Sequence, residues 1–582
     1  MPSMKFVRGL RLRSSVRGPS ASSAITFAMA GSFAGACGPP TPNLFTTAVL
    51  TQHNNAQRTG ANTGETVLNT TNVRTADFGK IWEYPVRGRI YAQPLFATIM
   101  TVGKRISQVT RIAIVATAEN MVYAFDADQS SPSPLWQFDA GPPALAARIY
   151  HDVGQNITPT IGIIGTPVID LVHSTVYFVA MTQPDPERDD FAHTLHALDL
   201  RNGQPRGSRI ITGTIDGGGD FNSRRQNQRA ALALVNDRLY VSWASFGDQN
   251  PFDGLVMSYS TMDTPKPLEK RHQFQVARFD PIVGERHKGG GIWHSGGGPA
   301  VDRERRFLYV VTGNGDSHNE HAGSDFDSST VKLDLDLNPI DYFTPSNQDF
   351  LNDHDLDLSV AGPMIPDDQP DKDGRLVSLL VHGSKAGYLY VLNRDGLGRF
   401  HDDHDHVLQA VRVFPDGNNL GAQLEPSHIH TTPVYWRSPD GPRVYAGSDY
   451  NLGIRALAFD HEKLNPTPVA TSFFPRAPIS QMSLSSSGST PGTGILWVIS
   501  SPTGTVASYP GILYAFDAET LEMLYSSETN PFDRLGDYPR FNAPTIADGK
   551  VFVPTFTNKL VVYGLCSKNP RSACQCQVCQ HR

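Results

Sequence analysis

The sequence predicts an all-β fold, an eight-bladed β-propeller of four-stranded antiparallel sheets closed by a strand from the N-terminal side. Three observations carry this reading. Long amphipathic helical patterns are scarce across the 582 residues. One unit recurs, with a strand that starts beside a proline and an inner hairpin that reads apolar-Tyr-apolar. No cysteine lies between residues 38 and 565, so the core is built without disulfides. The stretch Gly289–Ser317 holds the unit in miniature. A glycine-rich approach ends at Gly298-Pro299-Ala300, a charged turn follows, and the run Phe307–Val311 breaks at Thr312-Gly313-Asn314-Gly315. β-Branched and aromatic residues bounded by Gly, Asp and Asn read as two strands and a turn.

In chain order, residues 1–37 come first. Lys5, Arg8, Arg11, Arg13 and Arg17 precede the small apolar run Ala21–Ala36, which is the pattern of a secretory signal. That run is too short to span a membrane comfortably. It ends in Ala34-Gly35-Ala36-Cys37, which resembles a bacterial lipoprotein box with Ala34 where Leu is preferred. Lipidation at Cys37 is one outcome, and cleavage after an Ala-x-Ala site is the other. Both place the protein outside the cytoplasm, lipid-anchored to the envelope, periplasmic or secreted. Residues 38–46 read as a proline-containing tether.

Residues 47–565 carry the repeats. Strand starts fall at Pro94, Pro167, Pro299, Pro363, Pro433 and Pro544. Proline suits a strand's first residue, where no ladder donor is required. Inner hairpins fall at Tyr123, Tyr177, Tyr240, Tyr309, Tyr390, Tyr445 and Tyr514. Several units end in an Ala-Leu/Phe-Asp strand, at Asp126, Asp199, Asp460 and Asp517, where Asp can cap the next turn. Spacing is roughly 55–75 residues, long for a blade because loops are inserted. The eighth unit, Ala543–Gly564, lacks its last strand, and Ile81–Val86 is spare. Pairing the two closes the ring and removes both open edges. Two stacked sandwiches are the competing architecture, without a linker to support them. Residues 566–582 hold Cys566, Cys574, Cys576 and Cys579, which suit two disulfides outside the cytoplasm or, with His581, a metal.

Composition sets outer limits. Hydrophobic content of 39% and charged content of 18% fit a globular chain, and a net charge of −7 gives no electrostatic case for nucleic acid. The membrane is reached by a lipid anchor only, and the chain reads as a monomer.

The pieces Val122–Ala127 with Leu135-Trp136, and Leu513–Thr520, resemble the repeat of pyrroloquinoline quinone (PQQ) propellers, in which a tryptophan packs against the next blade. Gln52–Asn55, Gly291–Gly298 and Lys385–Tyr390 are similar to a group of secreted bacterial propellers. The resemblance covers about residues 47–565 and implies the quinoprotein alcohol dehydrogenase-like fold. It further implies PQQ held by Ca²⁺ on hard oxygen ligands, with an aspartate as general base. Residue by residue, it points to Trp293 and Asn314 for the cofactor. For the metal it points to Asp248, Gln249, Asn314 and Asp355, and for catalysis to Asp355 and Asp357. Gln249 stands where the family has Glu, His354 where it has Trp, and no adjacent cysteine pair is present. The plainer reading makes Asn314 a turn residue and the aspartates strand caps or the lining of a wet channel.

Other clusters are weaker. His401–His406 holds metal-capable side chains in a loop, where a solvated face is the plainer reading. His428 and His430 share a strand face that can point into the channel. Asp371–Gly374 suits a hairpin turn better than a calcium loop. Two functions follow from different classes. One is a binding platform for a cell-envelope protein or small ligand, with recognition on residues 181–191, 213–228 and 315–328. The other is a PQQ- and Ca²⁺-dependent alcohol or sugar dehydrogenase. No cofactor is certain from the residues themselves.

Overall fold

The structure is a computed structural model. It describes residues 47–566 apart from 103–106, 151–155, 216–218, 250–251, 278, 281–284, 287–288, 317–324, 415–427, 449–452, 473–478 and 502–508. The expectations for residues 1–46, Cys37 included, and for 567–582 lie outside the described residues.

Eight antiparallel sheets form a propeller. Their inner strands are Leu95–Val102, Val168–Asp170, Ala233–Val235, Ala300–Asp302, Leu379–Gly383, Val434–Ser438, Ser483–Ser485 and Thr545–Ala547. In five of them the first strand residue directly follows the expected proline: Pro94, Pro167, Pro299, Pro433 and Pro544. In the fifth sheet, Met364 after Pro363 forms a bridge to Val381, and only three regular strands follow. The eighth sheet is Thr545–Ala547, Lys550–Val553 and Lys559–Leu565, with Phe78–Pro85 as its outer strand, antiparallel to Lys559–Leu565.

Apolar runs sit in these strands because both sheet faces are covered, and alternate residues face opposite neighbours. Val444 joins the cluster against the fifth sheet and Tyr445 the cluster against the seventh. Val551 packs toward the seventh sheet and Phe552 toward the first. Seven such clusters fill all eight gaps between neighbouring sheets.

Three tyrosines tie one sheet to the closing turn of the next. Tyr445 donates its hydroxyl to the Ala518 carbonyl (2.7 Å), Tyr240 to Leu335 (2.9 Å) and Tyr84 to Asp126 (2.7 Å), each at the closing turn of the next sheet. The aspartates cap those turns, with Asp517 accepting from the Glu519 N–H and Asp126 from the Asp128 N–H. Trp136 donates across to the Leu200 carbonyl (3.1 Å) in the second sheet. Each such bond contributes about 1 kcal/mol.

The middle of the ring is not an open channel throughout. The segment Val49–Asn62 winds round the axis and meets the inner side of every sheet. Phe96, Ile169, Val301, Ile365, Tyr435 and Leu484 donate backbone N–H groups to the carbonyls of Val49, Leu50, Ala56, Gln57, Thr59 and Gly60, at 2.8–3.0 Å. Arg58 donates to Leu232 and Asn62 to Ile546, completing the eight. Five of the donors sit two residues after the repeat's proline. An inner strand has a free edge at the axis, and this segment satisfies it.

His193, His294 and His382 are buried among these sheets, and burial lowers them to about 4, 3 and 4. Below the unfolded value of 6.5 the unfolded chain binds more protons than the folded one. Their contribution is therefore complete above 6.5 and is lost as pH falls toward 4. By pH 5 each loses on the order of 2 kcal/mol. Guanidinium melts are expected to show a lower midpoint at pH 5 than at pH 7, and a midpoint unchanged over this interval contradicts that assignment.

Candidate axial pocket

The pocket is gathered from segments that enter most of the sheets and from hairpin loops at Asp248 and Lys385. Its cavity of about 480 Å³ is lined by Tyr91, Tyr150, Arg229, Asp248, Trp293, Asp355, Asp357, Lys385, His428, His430, Arg540 and Phe541, among others. Of the residues that sequence reasoning singled out, Asp248, Trp293, Asp355, Asp357, His428 and His430 line it.

Trp293 enters through an unusual turn. His294 (φ 48°), Ser295 (φ 44°) and Gly296 (φ 89°) are successive left-handed residues, a conformation that costs non-glycine residues and collects at functional sites. The turn is held because His294 Nε2, kept neutral by burial, lies 3.1 Å from both the N–H and the carbonyl of Val311 and bonds to one of them according to its tautomer. A Cβ on Gly296 would lie 2.5 Å from Arg229 Nη1, and one on Gly298 2.5 Å from Arg58 Nη2, so the glycines make room for two guanidiniums.

Arg229 is 5% exposed. Its guanidinium donates to the Ile164 and Phe541 carbonyls (both 3.0 Å) and lies over the Tyr91 ring. Burial lowers it to about 10, so it stays charged at neutral pH. Among the described residues no carboxylate pairs with it. Sequence reasoning missed Arg229. The Asn227-Gln228-Arg229 run carried no motif.

Across the pocket, Lys385 places its ammonium between Asp355 (2.7 Å) and Asp357 (3.2 Å). Asp357 also accepts the Asn314 N–H (3.1 Å), and Asn314 Nδ2 reaches Asp355 at 3.4 Å. Asn314 thus braces both acids from behind. Asp248 accepts from Ser245 and keeps contact with solvent. Burial first, and negative Asp357 second, push its carboxyl up to about 6. Gln249 does not line the pocket. Arg225 and the Tyr150 carbonyl hold it. His428 is lowered to about 3 by burial, with His430 and Lys385 adding, and His430 stacks on Phe541. Asp371–Gly374 is a turn, closed by Asp371 N–H to Arg375 and Gly374 N–H to Asp371.

No family model matches the sequence, and no curated protein matches it. Solved structures do. The chain is similar to the quinohemoprotein alcohol dehydrogenase ADHIIG from Pseudomonas putida HK5, at 14% identity, TM-score 0.59, covering 90% of this chain and 81% of that one. It is similar to the quinohemoprotein alcohol dehydrogenase of Comamonas testosteroni, at 14% identity, TM-score 0.53, covering 91% and 82%. The chain has the quinoprotein alcohol dehydrogenase-like propeller fold. At this identity the likeness establishes the fold alone.

That fold implies PQQ with a metal, and the residues answer differently to the two. An organic anion would meet aromatic lining and the cations Arg229, Lys385 and Arg540, alongside the carboxylates Asp248, Asp355 and Asp357. Between Asp355 and Asp357, however, an ammonium already sits where a divalent ion would neutralise them. Calcium enters there only by displacing Lys385.

Asp248 provides a direct check. Its carboxyl is expected to titrate near 6 by ¹³C NMR and to fall toward the ordinary range in Asp357→Asn. A wild-type midpoint near 4 contradicts the described surroundings.

Proposed function

We propose that this chain is an extracytoplasmic ligand-binding propeller whose axial pocket takes a flat organic anion. One observation carries this reading, namely Arg229, a buried cation at the pocket wall without a carboxylate partner among the described residues. A buried charge is costly unless compensated, and an anionic ligand compensates it. Tyr91, Trp293 and Phe541 put aromatic surface into the pocket wall, and Lys385, itself paired with Asp355 and Asp357, adds a second cation. The signal-like residues 1–37 support placement in the cell envelope, with Cys37 as the anchor point. Recognition of an envelope protein falls to the inserted loops at 181–191, 213–228 and 315–328.

A second reading, a PQQ- and Ca²⁺-dependent alcohol or sugar dehydrogenase, is favoured by the carboxylates beside Trp293. Bound PQQ would supply a two-electron acceptor. Trp293 would orient its plane, and Lys385 and Arg229 would hold its anionic oxygens. Asp357 or Asp248 would accept the substrate's hydroxyl proton, Asp248 being tuned to about 6 for that task. Asp355 would share Lys385 with Asp357.

PQQ itself is the probe that tests the reading. Titrated into the full chain in EDTA, it is expected to quench tryptophan fluorescence saturably. Arg229→Gln and Lys385→Met each weaken binding by about 10- to 100-fold, the equivalent of one charge-assisted hydrogen bond. Absence of saturable binding, or equal affinity in both folded variants, removes the reading. Dye reduction with alcohols that needs Ca²⁺ and is lost in Asp357→Asn would select the dehydrogenase.

A further inference from the structure

The geometry points to a transition-metal site on the outer rim of the propeller, formed by His401, Asp403 and His406. The ligand atoms of these three side chains lie within 4.8 Å of one another. The His401 and His406 rings stack at 3.6 Å and 12°, and His404 stacks on His406 at 4.3 Å and 28°. Asp403 Oδ1 is 3.6 Å from His406 Nε2, close to the roughly 3.3–3.5 Å that separates ligand atoms around a tetrahedral zinc ion. Its other oxygen holds His404 Nδ1 at 2.8 Å.

The loop is clasped rather than loose. Arg399 pairs with Phe343 and donates its N–H to the Tyr342 carbonyl at 2.9 Å. Asp405 accepts the Ser346 N–H at 2.7 Å. Gly398, at φ 111°, passes so close to the His406 carbonyl that a Cβ would lie 2.3 Å from it. Both ends of the ligand segment are therefore fixed to the fourth sheet's outer strand and to the loop's own start.

The donor set decides the ion. Two imidazole nitrogens and one carboxylate suit Zn²⁺, Co²⁺, Ni²⁺ or Cu²⁺, whereas Ca²⁺ and Mg²⁺ want oxygens throughout. Beside Asp402 and Asp403 the two imidazoles gather lone pairs and negative charge in one place. Three protein ligands leave a coordination position for water, for His404 or for a donor from another molecule. A second group, Asp170, His173 and Asp263, is already neutralised by Arg206, 3.1 Å from Asp263. The site is independent of the axial pocket and does not rest on its ligand.

Zinc and cobalt titrated into chelator-treated, unreduced full chain test the assignment. One equivalent is expected to bind at the loop with micromolar affinity, and bound Co²⁺ should show ligand-field absorption without thiolate charge transfer. His401→Ala/His406→Ala is expected to weaken that binding by about 100-fold while leaving the melting midpoint of the metal-free protein unchanged. An anomalous difference map from zinc-soaked crystals of the unaltered chain should place the ion among the three side chains, whatever the variant's folding. Zinc found elsewhere, or unchanged affinity in the folded double variant, overturns the site.

Discussion

Two buried guanidiniums held by main-chain carbonyls fix the centre of this molecule. Arg58 donates to Gln52, Leu232 and Pro299, tying the axial segment to the third and fourth sheets. Arg229 ties the second and eighth sheets together through Ile164 and Phe541. Gly296 and Gly298, two residues apart, bring both side chains against the same backbone. Burial lowers Arg58 to about 9, so it too remains charged at neutral pH. Carbonyl dipoles alone solvate a buried charge incompletely. The two arginines differ in what they border: Arg58 faces a small void of about 70 Å³, whereas Arg229 borders the axial cavity of about 480 Å³.

The ring and its axial segment act together. Eight sheets packed face to face leave eight inner edges pointing at one line, and unsatisfied edges there would cost several hydrogen bonds. Val49–Asn62 meets those edges round the ring, with Arg58 reaching back to the third sheet after Ala56 and Gln57 have met the fourth and fifth. The pocket lies where the chain enters the inner strands, so its walls come from most of the sheets and its shape depends on ring geometry rather than on any one loop. Left-handed backbone recurs along the pocket wall, at Asp248, Ser295, Asp355 and Phe541, with His294 beside it.

Much of the architecture was legible because it is periodic. The prolines marked inner strands, the tyrosines marked hairpins, and the aspartates marked turns. What joins tyrosine to turn carbonyl is a contact between units, and no single unit's pattern contains it. The axial segment was not legible. Its contacts are backbone groups spread over the whole chain, and side-chain pattern does not record them. Site residues were readable where the resemblance offered a motif: Trp293, Asp355, Asp357 and Asp248 meet in the pocket. Asn314 stands behind them, and Gln249 is held elsewhere. Arg229 left no local signal, since its importance comes from an absent partner, which only three dimensions reveal. His401–His406 read as a solvated loop, and backbone clasps at Gly398 and Ser346 are what bring the rings together. Cys566 is disulfide-bonded.

The account stands or falls on the axial pocket as an anion site. A crystal structure of the full chain soaked with PQQ tests it most directly. The account predicts a planar ligand against Trp293 with carboxylate oxygens within hydrogen-bond reach of Arg229 and Lys385. An empty cavity at saturating ligand, with the Arg229 guanidinium turned onto a protein carboxylate, would contradict it.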